Sequence, residues 1–90
     1  MSQYRRGYEF ERRVRKMYEA KGWNVYRSAG SHSPFDLILM KQGEIVGVQC
    51  QLSAYFPPAK RQQFENEVRE NRIQGIYVWN EKGKIYEKRV

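Results

Sequence analysis

From Glu44 to Leu52 the chain alternates with a period of two. Val46, Val48, Cys50 and Leu52 fall on one face of an extended segment, and Ile45, Gly47, Gln49 and Gln51 on the other. Such a segment is a strand with one apolar face, and it needs partners. Phe35 to Met40, a nearly continuous apolar run, reads as a strand buried on both faces, joined to the first by the hairpin turn Lys41-Gln42-Gly43. Trp23-Asn24-Val25-Tyr26-Arg27 alternates and is rich in β formers, which makes a third strand. Something must cover the apolar face. Residues 8–21 suit that role: Phe10, Val14, Met17 and Tyr18 recur on one helical face, and Gly22 ends the helix as a C-cap.

Downstream, Pro57-Pro58 interrupts the chain, and Pro58 suits the first turn of a helix over about 59–71, with a thin apolar stripe of Phe64 and Val68. Ile76-Tyr77-Val78-Trp79 reads as a strand, Asn80-Glu81-Lys82-Gly83 as a turn, and Lys84 to Arg89 as a final strand. The order is αβββαββ, an α/β arrangement with helices packed on a central mixed sheet. No internal repeat, linker or low-complexity tract interrupts the 90 residues, so one domain over 1–90 is expected.

Charge narrows the partner. Seventeen Lys and Arg stand against ten acids, a net charge of +7 and a pI near 9.8. The excess is uneven: residues 1–30 hold eight Lys or Arg and three Glu, while residues 31–60 hold two of each sign. A basic N-terminal helix suits a polyanion such as DNA or RNA, although a solubility charge on a Lys/Arg-rich surface gives the same balance. Arg5, Arg6, Arg12, Arg13 and Lys16 form the cluster, with Tyr4 and Tyr8 interleaved for stacking. No run is long and apolar enough for a membrane. The lone Cys50 and the absence of an apolar leader suggest the reducing cytoplasm.

The strand pair also arranges polar groups. Asp36 opens an apolar strand, and Gln49 and Gln51 share a face of the next. Hydrolysis of a phosphodiester with Mg²⁺ or Mn²⁺ draws on such a layout, with hard oxygen ligands at one point and a cation for the developing charge. The first helix can add an acid. At 100° per residue Glu11 lies beside Val14 and Tyr18, whereas Glu9 lies with Arg12, Arg13 and Lys16. Glu9 therefore reads as a surface partner of Arg13. Glu11 can turn toward the sheet or pair with Arg15.

These residues carry a resemblance. Tyr4-Arg5-Arg6-Gly7, Glu11-Arg12, Gly22-Trp23-x-Val25, Arg27-Ser28-Ala29-Gly30-Ser31, Asp36-Leu37-Ile38 and the Gln49-Cys50-Gln51 position together resemble the archaeal Holliday-junction resolvases of the PD-(D/E)XK nuclease superfamily. The resemblance is clearest at Arg-Ser-Ala-Gly-Ser and fades after residue 55. It implies a restriction-endonuclease-like core and a two-fold dimer that acts on DNA, with Mg²⁺ or Mn²⁺ as the cofactor. It also implies a site of helix acid, strand Asp and the Glu and Lys of an E-x-K motif.

Residue by residue, Glu11 and Asp36 match the two acids, and Ser31 suits the loop serine near the scissile phosphate. Gln49 stands at the Glu position and Gln51 at the Lys position. Metal ligands would be Asp36, Glu11, Gln49 and the backbone carbonyl of Cys50. Contacts to DNA would come from the basic cluster together with Arg27, Ser28, His32 and Lys60, and the N–H groups of residues 28–33 could form an anion-binding nest.

The two glutamines remove a carboxylate and a cation. The expectation is a protein that binds branched or duplex DNA by shape and backbone with weak or no cleavage. The alternative is an active Mg²⁺-dependent endonuclease that uses Glu11 and Asp36 with a relocated base from Lys60, His32 or Arg27. Deliberate Glu→Gln exchange, a common way to trap such sites, would leave the same chemistry. Gly47 is expected to leave room on the site face, or to mark a bulge or tight packing. Tyr55, Phe56 and Trp79 are expected either in the core or at a dimer seam.

Overall fold

The computed structural model describes residues 2–28 and 33–90. The order is α1 (Gln3–Ala20), β1 (Asn24–Arg27), β2 (Leu37–Lys41), β3 (Glu44–Gln51), α2 (Pro58–Asn71), β4 (Gln74–Glu81) and β5 (Lys84–Arg89). The strands form one mixed sheet in the order β1-β2-β3-β4-β5. Every neighbouring pair is antiparallel except β3 and β4, which run parallel with α2 as the crossover. The expected αβββαββ order is observed.

Helix α1 starts five residues earlier than the periodicity suggested. Ser2 caps it by accepting a hydrogen bond from the Arg5 amide at 3.2 Å, and the helix runs through Gly7 despite the low helix propensity of glycine. Its end is a Schellman motif. The Trp23 amide bonds to the Tyr18 carbonyl at 3.1 Å and the Gly22 amide to that of Glu19 at 3.0 Å. Lys21 is the C-cap, and Gly22 follows it with φ of +93°.

The apolar face of the sheet meets α1. Phe10, Val14 and Tyr18 pack on Leu37, Leu39, Val46, Val48, Ile76 and Val78, and all of these are buried. The other face meets α2 through Phe56, Phe64, Val68 and Tyr77, with Phe35 and Trp79 partly buried beside them. Phe56 is thus core and Trp79 is half-buried, while Tyr55 is exposed. Strand β2 departs from the expected two-faced burial: Leu37 and Leu39 are buried, but Ile38 is only partly covered and Met40 is exposed. The cause is that α2 lies over β4 and leaves the outer strands of that face open. Lys41 belongs to β2, so the hairpin turn is Gln42-Gly43, with φ of +50° and +83°.

Candidate active site

Antiparallel pairing brings the end of β1, the start of β2 and the end of β3 to one edge of the sheet, with the first turns of α1 beside them. An open cleft of about 320 Å³ lies there, lined by residues that include Tyr4, Tyr8, Glu11, Arg27, Asp36 and Gln51. Asp36 is fixed from both neighbouring strands. Its amide donates to the Val48 carbonyl at 2.8 Å, and its carbonyl accepts from the Ser28 amide at 3.1 Å. Its carboxylate accepts from the Cys50 amide at 2.7 Å. Burial pushes the Asp36 carboxyl up from 3.8; the Cys50 N–H draws it down, the nearby Glu11 charge pushes it up, and the Lys60 charge draws it down.

Glu11 faces this edge. Its carboxylate accepts a hydrogen bond from Arg27 Nε at 2.6 Å, so its partner is not Arg15. The Arg27 guanidinium also sits 5.1 Å from the centre of the Tyr8 ring. Glu9 pairs loosely with Arg12 at 3.9 Å, one position short of the expected Arg13.

The two glutamines separate. Gln51 lines the cleft. Gln49 is 5% exposed, and its amide nitrogen donates to the Pro34 carbonyl at 3.3 Å. Its side-chain oxygen is buried without a hydrogen-bond partner. Cys50 lines the same cleft, and burial holds its thiol well above the usual range. Gly47 does not open room on the site face: a Cβ there would stand 2.6 Å from the Phe35 ring.

Among the basic residues, Arg5, Arg6, Arg12, Arg13 and Lys16 are exposed on α1. Arg13 also donates to the Gly83 carbonyl at 2.9 Å, which ties α1 to the β4–β5 turn. Ser28 is partly buried and Lys60 is exposed in the first turn of α2. Ser31, His32 and part of the expected nest lie outside the described residues.

The sequence places Tyr4 and Tyr8 with the basic cluster as stacking groups and not in the cleft, and leaves Gly7 unassigned. Their spacing to Glu11, at i, i+3, i+4 and i+7, puts all four on one helical stripe. The signal was present, but a helix begun at residue 8 leaves Tyr4 and Gly7 off that stripe.

The donors around the cleft test whether a divalent ion fits. Asp36 and Glu11 line the cleft as carboxylates and Cys50 lines it too, whereas Gln49, with its unpaired buried oxygen, is not among the described lining residues. Carboxylate and carbonyl oxygens are the kind that Mg²⁺ or Mn²⁺ takes, so Asp36, Glu11 and the Cys50 carbonyl are the groups that would hold the ion. When bound, the ion would polarise a phosphodiester and acidify water. The set is short of charge, because Arg27 already offsets Glu11. Among the described residues no three His, Cys, Asp or Glu side chains converge as metal ligands.

Comparison with known proteins agrees with this architecture. The family model described as archaeal Holliday junction resolvase (hjc) matches residues 2–86. The chain belongs to that family. It is similar to the crossover junction endodeoxyribonuclease Hjc of Methanocaldococcus jannaschii, with 41% identity over 51 residues, which is 57% of this chain and 38% of that protein. The match thus spans well under half of that relative's length. The fold of this chain is similar to that of Archaeoglobus fulgidus Hjc, a Holliday junction resolvase from an archaeal hyperthermophile. The TM-score is 0.77 at 13% identity, over 93% of this chain and 72% of that one. The restriction-endonuclease-like core is therefore established. Among the described residues no helix is long and apolar enough to cross a membrane.

Proposed function

We propose that this chain is a DNA-binding protein of the resolvase family whose hydrolytic centre is attenuated. It binds branched or duplex DNA through shape and backbone and cleaves it weakly or not at all. The observation that carries this reading is the state of the glutamine pair. Gln49 is turned to the Pro34 carbonyl and Gln51 brings an amide into the cleft, where the hydrolytic motif has a carboxylate and an ammonium. An amide offers a metal one neutral oxygen. Loss of even one neutral donor to a developing oxyanion costs about 10²–10³ in rate in acyl-transfer sites, and here a full cation is missing.

Binding rests on groups that remain. Arg5, Arg12 and Lys16 line the exposed side of α1, and phosphate contacts of this kind supply most of the affinity for a polyanion. A homodimer, which would set two clefts against two strands, and a cytoplasmic setting complete the proposal.

The second reading is an active endonuclease. Lys60, exposed in the first turn of α2, is the cation whose charge draws the Asp36 carboxyl down, the weakest of the influences on a group that burial holds up. Incubation with a labelled four-way junction in Mg²⁺ or Mn²⁺ decides between the two. The expected result is binding without nicks, with cleavage gained by Gln49→Glu combined with Gln51→Lys. Symmetric cleavage by the chain as it stands, lost in Lys60→Ala, would establish the second reading instead.

A further inference from the structure

The stripe Tyr4-Gly7-Tyr8-Glu11 runs along α1 between its buried face and the exposed row of Arg5, Arg12 and Lys16. Tyr4 is 84% exposed and Tyr8 38% exposed, although both line the cleft. Large apolar rings held open to solvent beside a polar site call for a ligand. Gly7 sits between them, and a Cβ at that position would meet nothing within 4 Å. The wall between the two rings is thus unobstructed.

Arg27 is fixed in two ways, by the Glu11 carboxylate at 2.6 Å and over the Tyr8 ring at 5.1 Å. Its planar guanidinium extends the stacking surface, and Tyr4 lines the same cleft. Gln51 adds an amide donor and acceptor to the same cleft. At about 320 Å³ the space is at the low end of small-molecule pockets and has room for one planar heterocycle.

We propose that this cleft is a pocket for one unstacked nucleobase of single-stranded DNA. Tyr4 supplies the stacking ring, the Tyr8–Arg27 pair supplies a second planar surface, and Gln51 hydrogen-bonds the base edge. The proposal rests on the DNA-binding reading above and deepens it. The amide that stands where the hydrolytic lysine would be gains a positive role. Flat aromatic and guanidinium surfaces accept any base, so the pocket selects an unpaired nucleotide and not a sequence.

The test compares two fluorescein-labelled DNAs by anisotropy: a blunt duplex, and the same duplex with a short single-stranded flap carrying 2-aminopurine at its first unpaired position. The flap should bind about tenfold more tightly, the scale of one base–aromatic stack, and 2-aminopurine emission should fall on binding. Tyr4→Ala should abolish the preference and Tyr4→Phe should keep it. Gln51→Ala should reduce it. Tyr4 is mostly solvent-exposed, so the truncation leaves the fold intact. Equal affinity of the unaltered chain for both DNAs, or a preference that survives Tyr4→Ala, overturns the pocket and leaves DNA binding standing. No binding to either DNA removes the DNA-binding reading and the pocket with it.

Discussion

Asp36 is constrained at three atoms: its amide, its carbonyl and its carboxylate all have partners on adjacent backbone. That rigidity has an electrostatic consequence. Burial leads the causes that raise its carboxyl above 3.8, so the folded chain holds the proton more tightly than the unfolded chain does. Ionisation then costs stability as pH rises from 3.8 through the raised folded value, and the cost is complete above that window. Asp36→Asn keeps an oxygen for the Cys50 amide and removes the charge. The variant should be more stable than the parent near neutrality, with the advantage shrinking to nothing as pH falls through the window. Urea denaturation across the acidic range measures this, and an advantage independent of pH would contradict it. Residue identities at this edge were legible in sequence, because Asp36, Gln49 and Gln51 follow from strand alternation. The fold of Gln49 back to the Pro34 carbonyl was not legible, because it depends on where a loop passes.

At the scale of elements, β2 and β3 are seated by the absence of a side chain. Phe35 lies over Gly47, with two ring atoms 2.6 Å from where a Cβ would be, and its ring meets that of Phe64 edge-on at 5.6 Å. Gly47→Ala must push the ring away, and Phe35 adjoins Asp36 in the chain. The expected cost is about 1–3 kcal/mol of stability, typical of overpacking. Thermal denaturation should show a lower midpoint for the variant, and Phe35→Leu on top of it should restore part of the loss. A fully additive double variant would mean that the two positions do not meet. Sequence alternation placed Gly47 on the correct face but could not say which ring occupies the gap. The early start of α1 escaped for a related reason: Ser2 stabilises the first turn through a cap, and caps act outside hydrophobic periodicity.

Across the whole molecule the basic excess is greatest in residues 1–30, most of them in α1. On the exposed side of α1, Arg5, Arg12 and Lys16 form one row, while Arg13 is also committed to the Gly83 carbonyl. Each phosphate contact adds roughly 0.9 to the slope of log affinity against log salt. Arg12→Ala with Lys16→Ala should therefore flatten that slope by roughly two and leave the melting temperature nearly unchanged. A slope equal to the parent's would remove this row from the DNA-facing surface. The element order and a mixed sheet were legible from strand signals and turn residues. The strand order β1-β2-β3-β4-β5 and the place of the parallel seam, between β3 and β4, depend on how α2 crosses over the sheet and were not legible.

That seam sets off the lining of the cleft as well as dividing the sheet. The described residues that line the cleft all fall between Tyr4 and Leu52. From Pro58 onward the chain reaches the site through the edge of the Phe64 ring and the distant charge of Lys60. What the cleft holds is thus set by one continuous stretch of sequence. The later half bears on it through packing and charge, so substitutions there act on stability before they act on what the earlier half recognises.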